Sequence, residues 1–133
     1  MKKTALLNSR ISAVISEMGH FDKLTIGDAG LPVPQGVERI DLAVTLGVPG
    51  FLQVFDAVMS ELKVQRATIA AEMCDKNIAL YEHISAYCEK EGIELIQVQH
   101  EEFKRQSAQS KAVIRTGECK AYANIILESG VVF

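Results

Sequence analysis

The chain is poor in cysteine. Cys74, Cys88 and Cys119 are its only three, and no two of them form a Cys-x-x-Cys pair. An odd, scattered set gives no disulfide framework and fits a reducing cytosol. Charge of one sign is also missing. Lys plus Arg is 14 and Asp plus Glu is 17, a net charge of −3 over 133 residues. Such a surface offers no electrostatic reason for a nucleic-acid partner or an anionic membrane. Long apolar runs are absent as well. The longest stretch without a charge, Leu42 to Phe55, is 14 residues and holds two glycines and a proline. A membrane-spanning helix needs about 20 apolar residues, so none is expected. The start, Met1-Lys2-Lys3-Thr4-Ala5-Leu6-Leu7, looks like a secretory n-region, but Asn8-Ser9-Arg10 ends its apolar part far too early.

The familiar chemical signatures are missing too. No His-x-x-x-His pair exists among His20, His83 and His100, so no metal site is expected. Gly27-Asp28-Ala29-Gly30 lacks the third glycine of a dinucleotide fingerprint and the Lys-Ser/Thr of a phosphate loop. No Gly-x-Ser-x-Gly elbow occurs. Repeats, low-complexity tracts and Ser/Gly linkers are lacking, and the length suits one domain, residues 1–133.

What is present is an alternation of periods. Ile11, Val14, Ile15 and Met18 recur at helical spacing, with Asn8 or Ser9 as cap and Gly19 as stop. Leu24–Ile26 reads as a short strand. Two prolines make Leu31–Gly36 a loop. Ile40–Leu46 reads as a buried strand, Phe51, Phe55, Met59 and Leu62 as one face of a helix, and Val64–Ala70 as a strand. A helix is expected over Asp75–Glu91 with Gly92 after it, then a strand over Ile93–Val98 and a short helix or loop over Glu101–Ser107. Lys111–Arg115 and Ala123–Leu127 read as the last strands, joined by a turn near Thr116-Gly117. The pattern predicts an α/β fold, a single-domain sheet flanked by helices. The tail Gly130-Val131-Val132-Phe133 is apolar to its last residue, which suits either a subunit interface or packing on its own core.

The polar residues at element ends are the candidates for chemistry. His20 follows a helix, whose carboxyl end favours imidazolium, so it suits a general acid near neutral pH. It also suits a plain helix cap. Asp28 and His100 each follow a strand, where ligands of open α/β sheets bind. Asp28 between glycines is equally a turn residue. If Tyr122-Ala123-Asn124 is extended, Tyr122 and Asn124 share a face and offer donors and acceptors to hydroxyl groups. Lys104 lies one helical turn after His100. His83, on the mid-helix face of Ala79, Leu80 and Tyr87, reads as structural. Histidine, aspartate, tyrosine, asparagine and lysine together suit a polar, uncharged, proton-exchanging ligand such as a sugar, without a cofactor.

At these residues the chain resembles the ribose pyranase and fucose mutarotase family. The likeness runs through Met1-Lys2-Lys3, Leu6-Leu7-Asn8 and Gly19-His20, then Ile26-Gly27-Asp28-Ala29-Gly30-Leu31-Pro32-Val33-Pro34. It continues in His100-Glu101-Glu102-Phe103-Lys104, in Lys111-Ala112-Val113-Ile114-Arg115-Thr116-Gly117-Glu118 and in Tyr122-Ala123-Asn124-Ile125-Ile126-Leu127 with Gly130-Val131. The resemblance implies a cofactor-free enzyme that interconverts the pyranose and furanose forms of D-ribose and supplies a ribokinase. It implies His20 as proton donor and Asp28, His100, Tyr122 and Asn124 on the sugar, with Ala123 giving backbone contacts and Lys104 nearby. Whether Asp28 or His100 is the base stays open. It also implies a cytoplasmic homodecamer of two stacked pentameric rings, with the cleft between neighbouring subunits. The Gly-Asp-Ala-Gly-Leu-Pro-Val-Pro block favours the ribose branch. A fucose-type mutarotase and a non-catalytic sugar-binding module linked to ribose uptake are the alternatives.

Overall fold

A computed structural model describes all 133 residues. The chain forms α1 (Ser9–Glu17), β1 (Lys23–Gly27), β2 (Glu38–Asp41), α2 (Phe51–Met59), β3 (Val64–Ala70), α3 (Met73–Lys76), α4 (Ile78–Glu91), β4 (Glu94–Val98), α5 (His100–Ser107), β5 (Ser110–Arg115) and β6 (Ile125–Ser129). The strands make one six-stranded sheet in the order β2-β5-β1-β6-β3-β4. Only β6 runs against its neighbours, β1 and β3; the remaining pairs are parallel. Five strands therefore end at one edge of the sheet, and β6 begins there.

Alternation along the strands divides the core. Leu24, Ile26, Ile114, Ile125 and Leu127 face α1, α2 and α4, and pack with Ile11, Phe51, Phe55 and Ile84. Val113 and Ile126 face the other side, where Phe103 of α5 and Leu31 cover them. The expected α/β sheet flanked by helices is what forms. No helix is long and apolar enough to cross a membrane.

The cap of α1 is Asn8, whose side chain accepts from the Ile11 N–H at 2.9 Å, and the helix closes at Glu17 with Met18 as its C-cap and Gly19 next, as expected. Several local expectations change. The strand expected over Ile40–Leu46 stops at Asp41, because the Asp41 carboxylate accepts from the Ala43 N–H and turns the chain. Val44 and Leu46 then stand 81% and 76% exposed. The long helix expected from Asp75 breaks at Asn77 (φ −146°, ψ 61°) into α3 and α4. Gly92 closes α4 in the left-handed conformation at φ 67°, as its position after the helix suggests. β5 and β6 are not joined by a tight turn, since β1 lies between them. The tail does not pack into this chain's core: Val132 and Phe133 are exposed.

Gly117 is required where it stands. A Cβ there would collide with the backbone carbonyl oxygens of Thr45 and Val48. This close approach pins the 42–48 loop against the segment after β5.

Phe55 is 1% exposed, and its ring meets Tyr87 edge-on with centroids 5.2 Å apart. Phe55→Ala is expected to lower unfolding free energy by about 3–5 kcal/mol in denaturant titration. Asp56→Ala, on the exposed side of the same helix, should change it by no more than about 0.5 kcal/mol.

Candidate active site

The carboxyl edge of the sheet gathers most of the expected polar residues. Asp28 follows β1, and its carboxylate is held from two sides. Oδ1 accepts from the Gly30 N–H at 2.9 Å, and Oδ2 accepts from Asn124 Nδ2 at 2.9 Å. Asn124 returns the contact, its Oδ1 accepting from the Asp28 N–H at 2.8 Å. Asn124 is 1% exposed. A buried carboxamide committed in this way aims Asp28 and keeps its remaining lone pairs outward.

Tyr122 and Asn124 do not share a face, because the segment is not extended. Tyr122 sits at φ 57°, and the Asn124 N–H donates to the Tyr122 carbonyl at 2.8 Å in a tight turn. The turn sends Asn124 inward to Asp28 and Tyr122 outward to His100, whose ring it meets edge-on at 5.1 Å. Ala123 between them is fully buried in the main core and anchors the turn. Asn77, at the break between α3 and α4, donates to the Ala121 carbonyl at 3.0 Å and ties the same segment down.

His100 is the first residue of α5, and its ring stacks on Phe103 with centroids 6.3 Å apart. Its Nδ1 is buried without a partner. Nε2 is the ring nitrogen left to meet a ligand. Lys104 is on α5 as expected, with its ammonium 2.6 Å from Glu101. His83 is exposed on α4, away from the core face expected for it.

Three supporting residues escape a sequence reading. The Glu72 carboxylate accepts from the His100 N–H at 3.1 Å, capping α5 from 28 residues away. Arg115 donates to the Ala29 carbonyl at 3.0 Å while its guanidinium pairs with Asp41 at 3.0 Å, bracing the Asp28 loop. Glu118 accepts from the N–H groups of Phe51, Cys119 and Lys120. Glu72 and Arg115 have no local motif, because their partners come from other elements, and Glu118 joins its own turn to the start of α2 through Phe51.

His20 lies elsewhere. It precedes β1, at the opposite edge of the sheet. Its Nε2 is 2.9 Å from Gln65 Oε1, and its ring stacks on Phe21 with centroids 3.7 Å apart. The length of β1, roughly 13 Å for four residue steps, separates that edge from Asp28. His20 does not meet Asp28 and His100 within one chain. Around His20 is a groove of ≈ 400 Å³ lined by Ile15, Met18, Leu62 and the apolar tail.

The comparisons with known proteins agree with this architecture over the full chain. The model of the RbsD / FucU transport protein family matches residues 1–132. The chain belongs to that family. A D-ribose pyranase from Proteus mirabilis is 52% identical and one from a Thermoanaerobacter species is 53% identical, each covering all of both chains. Among solved structures, Bacillus subtilis RbsD complexed with D-ribose is 41% identical, with a TM-score of 0.95 over all of both chains. The fucose mutarotase of Streptococcus pneumoniae, complexed with L-fucose, has a TM-score of 0.82 at 22% identity, again over all of both chains, and shares the family's fold.

Burial pushes the Glu118 carboxyl up, but the three backbone donors outweigh it and hold the group below the ordinary 4.5. A lowered carboxyl adds stability above its ordinary pKa and loses it as pH falls through the folded value. Between about pH 5 and pH 3, unfolding free energy should therefore fall less steeply in Glu118→Gln than in wild type. Other lowered carboxyls, such as Asp41, keep some slope. Denaturant titration across that range checks it, and parallel curves would assign no such role to Glu118.

Proposed function

We propose that this protein is a D-ribose pyranase, an isomerase that interconverts the pyranose and furanose forms of D-ribose without a cofactor. What supports the reading most is its identity of 52–53% to proteins of that name over all of both chains. The paired Asp28–Asn124 acceptor beside the His100 imidazole suits a sugar's hydroxyl groups.

The chemistry needs a proton given and a proton taken. A donor protonates the ring oxygen while an acceptor removes the proton from the anomeric hydroxyl. The bond from C1 to the ring oxygen breaks and C1 becomes a carbonyl. The open chain turns, and the C4 hydroxyl adds to C1. Its proton leaves as the carbonyl oxygen is protonated again, so nothing is consumed. His20 is the proton donor in this reading. Asp28 accepts from the anomeric hydroxyl, and His100 Nε2 and the Tyr122 hydroxyl hold the others. Each positioned proton-transfer group contributes about 10²–10⁴ in rate. Asn124 acts through Asp28, Ala123 lends backbone polar groups, and Lys104 serves the sugar's rim.

His20 reaches the sugar only from a second copy. The site is a cleft between two subunits, with His20 from one and Asp28, His100 and Tyr122 from its neighbour. The exposed apolar groups beside His20, Phe21 at 61% and Phe133 at 102%, suit burial by that neighbour. A closed ring satisfies such head-to-tail contacts in every copy, in keeping with a decamer of two pentamers. Three free thiols fit a reducing cytoplasm.

The test uses saturation transfer between pyranose and furanose proton signals of D-ribose. His20→Ala and Asp28→Ala should each lose most exchange. Unfolded and refolded together, the two variants should recover about a quarter of wild-type activity, because half the chains bring each intact half-site at random. No recovery would place both residues in one subunit's site. Exchange in His20→Ala equal to wild type would remove His20 as donor. Exchange between anomers of one ring size only, or on fucose alone, would indicate the mutarotase reading, and bound ribose without exchange a sugar-binding module.

A further inference from the structure

We infer that Gln65 and Glu128 are positioning residues for His20, holding its uncharged ring as the Nε2–H tautomer and leaving Nδ1 for the sugar. The inference rests on His20 as the proton donor.

Gln65 is the extra residue of a β-bulge. Along β3 and β6, Val64 pairs with Ser129 and Arg66 pairs with Glu128, so one residue on β6 is matched by two on β3. Val64, Ala67 and Ile69 all face the main core. Strict alternation from Ala67 and Ile69 would send Gln65 into that core; the bulge turns it out to the sheet edge instead. Bulges beside functional sites commonly re-aim a side chain in this way. The backbone also leaves room for it, since a Cβ at Gly130 would lie 3.2 Å from Gln65 Cβ.

The hydrogen bonds then follow one direction. Glu128 is 7% exposed and lies 3.5 Å from the Arg66 guanidinium. As a carboxylate it can only accept. Gln65 Nε2 donates to Glu128 Oε1 at 2.9 Å, which turns Gln65 Oε1 toward His20. That oxygen is an acceptor, so the His20 nitrogen 2.9 Å away, Nε2, must be the donor. Nδ1 is therefore the nitrogen that exchanges the proton: the imidazolium gives it from Nδ1 to the sugar's ring oxygen, which leaves the Nε2–H ring, and takes one back from the C4 hydroxyl as the ring recloses. Phe21, stacked on the ring, restricts its rotation. A second nitrogen committed to an acceptor is how a histidine's tautomer and orientation are set in many sites.

The test reads the tautomer directly. Nitrogen-15 NMR of the full-length protein should show the neutral His20 ring as Nε2–H in wild type. In Gln65→Leu both tautomers should appear. In Glu128→Gln the Gln65 amide can rotate, and Nδ1–H should gain population. In Gln65→Leu, kcat for ribose exchange should drop roughly 10- to 100-fold with KM changed by less than about threefold, as when an orienting partner is removed. A tautomer unchanged in both variants, or kcat unchanged in Gln65→Leu, would overturn the proposal while a dead His20→Ala still upheld His20 as the donor. An active His20→Ala would overturn both.

Discussion

Strand β6 runs antiparallel between β1 and β3, and its hydrogen bonds to both hold the sheet together. Without it, β2-β5-β1 and β3-β4 would be separate ribbons with exposed edges. All five of its residues are buried. Its two ends also carry the two polar systems. Asn124 enters the strand bonded to Asp28, and Glu128 leaves it bonded to Gln65. One strand thus aligns groups that lie at opposite edges of the molecule.

That geometry separates His20 from Asp28 within one chain. A sheet strand is rigid, so no side-chain rotation brings His20 to the Asp28 of its own chain. The backbone departures fall at the same two places. Phe21 and Tyr122 are the only non-glycine residues with positive φ, at 70° and 57°. Each such residue costs roughly 1–3 kcal/mol, and such strain clusters where side chains must be aimed. Phe21 stacks on His20, and Tyr122 meets His100. The fold stores a little strain beside each of these two histidines.

Much of this is legible in the sequence, and the failures have a physical pattern. Helical spacing of Ile11, Val14, Phe51 and Phe55 marks α1 and α2 because those residues bury one stripe. Val64–Ala70 reads correctly as β3. Val44 and Leu46 read as core, since exposed apolar residues look the same as buried ones in one dimension. Family likeness implies candidate residues, but not their arrangement. Tyr122 has no glycine-like signal for its turn. Glu72, Arg115 and Gln65 act through partners far off in the chain, or through a bulge, which no local spacing announces.

The most direct test is a crystal structure of the assembled protein with D-ribose bound. Density for the sugar should lie between Asp28, His100 and Tyr122 of one subunit and His20 of its neighbour, with Gln65 still on His20 Nε2. A sugar held at Asp28 with no His20 of any copy within hydrogen-bond reach would contradict the divided site, and with it the role of His20.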